Sequence, residues 1–402
     1  MLIKRRDFLK TASLATAALW VPRFLHAHAR PGALARNGKI LVVIQFSGGN
    51  DGLNTVVPVR NDLYYRARPR LGIKAAEALR LTDDAALHPA LGTLKKLYDA
   101  GDMAVLHNVG YPNPDRSHFR SMDIWHTASP ANEYWHTGWI GRYLDAQCSG
   151  AGSCQAPPVL EIDDTLSLAL KGEQRKGLAM QEPKQLRESA RSPYFTDYAA
   201  ATRVPTHEDS PVGYLYKTMT ETIASAEYIF EKSRAKPSPG TYPNSGLGKH
   251  LKTVASLILG DAETSVYYLS HGSFDTHINQ AFQQKRLFTE FNEALAAFAA
   301  DLKAQGRWND VLVTTFSEFG RRVAQNASGG TDHGTANQMF FLSGNLKQKG
   351  LLNPLPNLSD LDQGDLKFNV DFRKVYATLL ERWLGTESVP ILGKKFEPMG
   401  FV

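Results

Sequence analysis

Apolar residues along this chain fall into short unbroken runs separated by longer stretches at helical spacing. Residues 39–46 (KILVVIQF) are almost wholly apolar, β-branched and followed by glycines, the pattern of a strand buried on both faces. Residues 103–107, 264–269, 311–316 and 339–342 repeat that pattern. Residues 91–98 predict an amphipathic helix, and Leu287, Phe291, Leu295, Phe298 and Leu302 recur at the spacing of a long one. Val375, Leu379, Leu380 and Trp383 predict a C-terminal helix stopped by Gly385. Strands alternating with helices predict an α/β fold, a mostly parallel central sheet with helices on both faces. Residues 171–244 are polar, strand-poor and punctuated by proline. They predict an insertion, helical over 211–234, that caps the site.

The N-terminus changes the picture of charge. Lys4, Arg5 and Arg6 open it, and Arg-Arg-x-Phe-Leu-Lys is completed by Phe8, Leu9 and Lys10, the pattern of a twin-arginine export signal. A weakly apolar run over 11–21 follows, shorter than the ~20 residues a membrane span needs. Ala27-His28-Ala29 offers small residues at a cleavage site. Residues 1–29 are therefore expected to be a cleaved signal, 30–402 a single exported, periplasmic domain with no stable membrane span. A retained anchor and a cytoplasmic amphipathic helix are the alternatives. The whole chain carries 46 Lys and Arg against 40 Asp and Glu, a formal charge of +6. The signal holds Lys4, Arg5, Arg6, Lys10 and Arg23 against Asp7, so the remainder is only +2. That balance argues against a nucleic-acid partner. The two cysteines, Cys148 and Cys154, stand in a Ser/Gly loop; in an oxidising compartment they either pair or remain two thiols.

Ligands of open parallel sheets bind beyond the carboxyl ends of the strands. Those ends carry Asp51; then 113–121 with Arg116, Ser117, Arg120 and Ser121; then Asp275 and His277; then Glu318, Arg321 and Arg322, followed by Asp332 and His333. Carboxylates and imidazoles in this mixture suit Zn²⁺, Mn²⁺ or a similar divalent ion. Adjacent Asp332 and His333, flanked by Gly330 and Gly334, can hold one ion or two neighbouring ones. Asp275 and His277 alternate and would point the same way in extended chain. A serine beside such an ion can lose its proton and attack an electropositive centre, and a pair of ions suits phosphoryl or sulfuryl transfer. The arginines either bind an anionic oxygen bidentately or neutralise the carboxylates around them. Trp125, His126, Tyr134, Trp135, His136 and Trp139 form an aromatic cluster downstream, either a stacking rim for substrate or core packing.

The strings FSGGNDGLN from Phe46, RSHFRSMDIWHT from Arg116, FDTH from Phe274 and TDHG from Thr331, behind such a signal, resemble an exported bacterial family of unknown function, number fifteen-oh-one among the domains of unknown function. The resemblance covers nearly all of 30–402. That family looks distantly similar to the alkaline phosphatase and sulfatase superfamily. The resemblance implies one or two divalent ions (Zn, Mn, Mg or Ca). It implies Asp51, Asp332 and His333 as ligands on the nucleophile side and Asp275 and His277 as ligands of a second ion. Ser117 is implied as nucleophile, with Ser121 in reserve; Arg116, Arg120 and Arg321, read from their place in these loops, are the candidate substrate contacts. The superfamily's second site takes a further histidine near the C-terminus, and no histidine follows His333; Glu318 is the candidate substitute. The implied activity is hydrolysis of a phosphate or sulfate ester of a small molecule or glycan. The competing reading is a degenerate, non-catalytic fold that binds a surface polysaccharide or a protein partner.

Overall fold

The computed structural model describes residues 38–148, 154, 156–193 and 211–402. The expected signal at 1–29 lies outside them. The centre of the molecule is a nine-stranded sheet. Its strands are β1 (Ile40–Phe46), β2 (Met103–Gly110), β3 (Val159–Glu161), β4 (Leu178–Ala179), β5 (Val266–His271), β6 (Val311–Phe316), β7 (Asn337–Leu342), β8 (Gly350–Leu351) and β9 (Val370–Asp371). Their spatial order is β8-β2-β7-β6-β1-β5-β3-β4, with β9 also on β2. β1 lies in the middle: Leu41 pairs in parallel with Val266 of β5 and with Leu312 of β6.

Alternation along β1 explains its place. Leu41 and Val43 face one core; Ile40, Val42, Ile44 and Phe46 face the other. All seven residues of the strand are buried, and a fully buried aliphatic side chain is worth ~1.5–3 kcal/mol. Among the helices are α1 (Gly52–Thr55), α2 (Gly92–Asp99), α3 (His118–Thr127), α4 (Trp139–Gln147), α5 (Pro183–Ala190), α6 (Pro211–Ala235), α7 (Gly246–Leu259), α8 (Gln280–Ala304) and α9 (Phe372–Thr378). On one face α2, α7 and α8 supply Leu94, Leu251, Phe291 and Phe298. On the other, α3, α4 and α9 supply Ile124, Trp139 and Tyr376.

One strand departs from the parallel expectation. β7 runs antiparallel to both β6 and β2. A parallel neighbour needs a crossover, usually a helix, and no helix lies between Phe316 and Asn337. The connection therefore leaves and re-enters the sheet at the same edge. That keeps Glu318, Arg321, Asp332 and His333 at the carboxyl end of β6. The insertion at 171–244 contributes β4 to the sheet edge and α5, α6 to a layer packed on α7. Its Arg187 and Arg191 pair with Glu227 inside that layer. Cys148 and Cys154 form a disulfide with Cα atoms 5.4 Å apart. Among the described residues no helix is long and apolar enough to cross a membrane.

Candidate metal centre

The loop after β1 turns through Gly48 and Gly49, both at positive φ. A Cβ on Gly48 would lie 2.4 Å from the Asp275 backbone nitrogen, and one on Gly49 2.2 Å from the Phe319 ring. Only glycine lets the ends of β1, β5 and β6 close up this far. Arg321 then ties them together. Its buried guanidinium donates to the carbonyls of Gly49 (2.6 Å), Gly48, Phe274 (3.1 Å) and Thr331 (3.0 Å), and to Asp275 Oδ1 (2.7 Å).

Around that joint, three imidazoles converge on one carboxylate oxygen. From Asp275 Oδ1, the Nε2 atoms of His277, His333 and His118 lie at 3.0, 3.1 and 3.5 Å. The Nε2 atoms of His277 and His333 are 2.9 Å apart. Among the described residues, His118, Asp275 and His333 form the one group of such side chains whose ligand atoms all lie within 4.8 Å of one another. Each ring is fixed from behind. Glu318 Oε1 sits 2.9 Å from His118 Nδ1, and the Arg116 carbonyl 2.8 Å from His333 Nδ1. Both acceptors are oxygens, so Nδ1 carries the proton and Nε2 presents its lone pair to the cluster. Asp332 Oδ1 stands 3.4 Å from His277 Nδ1 in the same sense.

Electrostatics follow the geometry. Partial burial works to raise the Asp275 pKa, but the Arg321 guanidinium hydrogen-bonded to it holds it down to about 2. The Asn326 amide, then His277, lowers that of Asp332. The hydrogen bond to Glu318 raises that of His118. The centre is thus a set of nitrogen and oxygen donors suited to a divalent cation such as zinc.

The structure sorts the expected residues into three groups. Asp275, His277, Asp332 and His333 come together. Asp51 goes elsewhere: it caps α1, Oδ1 accepting from the Leu53 amide at 3.2 Å, while Oδ2 meets Arg68 Nη1 at 2.6 Å in a pair with both side chains buried. Gln280 also donates to it. The local reason is plain, since an aspartate one residue before a helical turn is a preferred N-cap. Glu318 lies behind His118 and also accepts from the Gly48 amide at 2.8 Å, so it faces the ring's far nitrogen.

Ser117 is exposed at the start of α3, its hydroxyl not used as a cap. Ser121 is fully buried and bonded to Tyr111 (2.7 Å) and the Asp115 carbonyl (2.6 Å). The expected substrate arginines have internal partners. Arg116 and Arg322 both reach the buried carboxylate of Asp365. Arg120 donates to the carbonyls of Pro130, Ala131 and Glu133 and lies 4.0 Å over the Tyr134 ring. Trp125 stacks on Phe316 and Phe372, and Trp139 on Tyr376, so these two rings are core packing. His118 is the residue that sequence reasoning missed; its signal was its place directly after Ser117 at a helix start.

Residues 38–360, which contain every residue of this cluster, match the family model described as "Protein of unknown function (DUF1501)". The chain belongs to this family. No curated protein matches it in sequence. Solved structures that match include a protein in the alkaline phosphatase superfamily from Vibrio parahaemolyticus, with 10% identity and a TM-score of 0.40, covering 98% of this chain and 78% of that one. Another is the PsFucS1 sulfatase from Pseudoalteromonas sp., with 11% identity and a TM-score of 0.40, covering 99% and 75%. A third is the C-terminal periplasmic domain of EcEptC from Escherichia coli in complex with Zn, with 9% identity and a TM-score of 0.34, covering 77% and 75%.

Proposed function

We propose that this protein is a metal-dependent hydrolase of phosphate or sulfate esters that works outside the cytoplasm. The observation that carries the reading is the convergence of three imidazole Nε2 atoms on Asp275 Oδ1, each with its Nδ1 turned to an oxygen acceptor. Three lone pairs aimed at one carboxylate oxygen serve no purpose in a hydrogen-bonded core and suit a cation. His118, Asp275 and His333 would hold one divalent ion, with His277 beside them and Asp332 holding the His277 ring. When bound, the ion supplies Lewis-acid polarisation of an ester oxygen and lowers the pKa of a hydroxyl beside it.

Ser117 is the nucleophile in this reading. Its oxygen bonds to phosphorus or sulfur, the ester's alcohol departs with the bridging oxygen, and water then cleaves the serine ester. Export is supported by the twin-arginine pattern and by the Cys148–Cys154 disulfide, which belongs to an oxidising compartment.

A panel of aryl phosphates and aryl sulfates with Zn²⁺, Mn²⁺, Mg²⁺ or Ca²⁺ tests the proposal. Turnover that needs one of these ions and disappears in Ser117→Ala is expected; full activity in that variant sinks the mechanism. Elemental analysis should find about one ion per chain, lost in Asp275→Ala. The second reading, a non-catalytic binding protein for a glycan or protein partner, is favoured by the internal partners of Arg116, Arg120 and Arg321, which leave no free guanidinium clamp. Bound metal without turnover on any ester would select it.

A further inference from the structure

Among the described residues large apolar side chains are mostly buried or partly buried, and the exceptions are not scattered. Among the described residues the exposed ones are Phe119 (88%), Tyr134 (70%), Phe282 (65%), Ile278 (61%) and Val389 (46%). Phe119 is the chain neighbour of His118, and Ile278 that of His277. Phe282 lies in the first turn of α8. That turn is fastened to the loop that carries Asp332 and His333: the Gln280 amide donates to the Gly329 carbonyl at 3.0 Å, and Thr331 Oγ1 donates to Gln280 Oε1 at 2.6 Å. Three of the five exposed apolar side chains therefore stand on the segments that deliver the cluster, from both the α3 side and the α8 side. Single exposed apolar residues are ordinary; several around one polar site mark a binding surface. One turn beyond Phe282, on the same exposed side of the helix, stands Lys285.

We propose that Phe119, Ile278 and Phe282 form an apolar rim that receives the hydrophobic alcohol part of an anionic ester. The substrate class is then an amphiphile, a phosphate or sulfate on an alkyl chain or aromatic ring, and a bare sugar ester is a poor fit. This deepens the hydrolase reading and rests on it. The anionic head faces the cation, the apolar part lies across the rim, and the water-exposed side chains gain the burial they lack.

The probes are n-alkyl sulfonates from methyl to decyl, and benzenesulfonate, below their micelle concentrations. They are titrated calorimetrically into protein with and without zinc. Affinity should rise with chain length, by up to about fourfold per methylene, the ratio that full burial of one CH₂ gives. In the triple variant Phe119→Ser, Ile278→Ser, Phe282→Ser, the rise should flatten, with far-UV circular dichroism and Tm reporting that the fold persists. Benzenesulfonate binding tighter than an alkyl chain of equal area points to an aryl alcohol, and the reverse to a lipid-like chain. A flat series in the wild type, an equal rise in the triple variant, or a wild-type dimer that the triple variant splits overturns the rim. Turnover of methyl esters with flat binding defeats the rim alone; a steep series without turnover of any ester defeats the hydrolase alone.

Discussion

Glu318 shows how much a buried carboxylate can do without touching a ligand. With one oxygen it accepts from both the Gly48 amide and His118 Nδ1. It thereby fixes which nitrogen of His118 faces the cluster. Residues of this kind typically govern metal affinity by 10–100-fold. Glu318→Gln should weaken zinc binding by about that factor in a competition titration with a coloured chelator, while Tm without metal changes little. Unchanged affinity would mean that His118 is oriented by other contacts. Asp51 is the opposite case, an acid held by the Arg68 cation, the Leu53 amide and Gln280. Removing one partner from a buried pair leaves an uncompensated charge, costing ~3–5 kcal/mol. Arg68→Ala should lower urea-unfolding stability by that amount, with or without zinc. If zinc instead restored the variant's stability, Asp51 would have been freed to act as a ligand.

At the scale of elements, what the chain's pattern revealed was what a period can encode. The five long apolar runs became β1, β2, β5, β6 and β7, and the spacing from Leu287 to Leu302 became α8 with all five residues buried. The short strands β3, β4, β8 and β9, of two or three residues, gave no periodic signal; tertiary pairing alone makes them strands. The direction of β7 was hidden for another reason. It depends on what the connection between β6 and β7 lacks. Strand-end logic found Asp275, His277, Asp332 and His333. It also nominated Asp51, because a strand-end aspartate has the same composition whether it caps a helix or faces a ligand. The hydrogen bonds of Arg68 and Gln280 decide between those roles; Arg68 lies 17 positions away and Gln280 229, and no local pattern marks either as the partner. The disulfide after α4 was open in the sequence and is closed in the fold. Its loop is short, so the chain-entropy model gives it only ~2 kcal/mol. Cys148→Ser should cost about that in chemical denaturation; a far larger loss would mean that it also holds the packing of α4.

Across the whole molecule, burial sets a pH limit. Desolvation pushes the pKa values of His88, His107 and His126 down to about 4. In the unfolded chain these groups take protons near 6.5. Their folded pKa values are depressed, so the unfolded state binds more protons between those limits. The stability these three groups contribute is full above about pH 6.5 and falls as pH drops toward 4, while Glu161, raised by burial to about 7, works in the opposite sense over part of that window. The midpoint of urea unfolding should therefore decline over that window. His126→Gln should remove roughly one proton's share of the slope. An identical slope in wild type and variant would show that His126 does not stay neutral in the fold.

The central place of β1 has a consequence for how the molecule comes into being. Among the described residues β1 is the first strand made, yet its partners at Val266 and Leu312 lie more than two hundred positions downstream. Until those partners have been synthesised, the most apolar ribbon of the chain has no neighbour on either edge, and such waiting strands are slow to fold and prone to aggregate. The cluster waits longer still, because His118, Asp275 and His333 enter the ribosomal product far apart. A chain stopped before residue 333 lacks His333 and with it the complete cluster. Assembly of the sheet's centre and assembly of the cluster thus both wait for residues beyond 300.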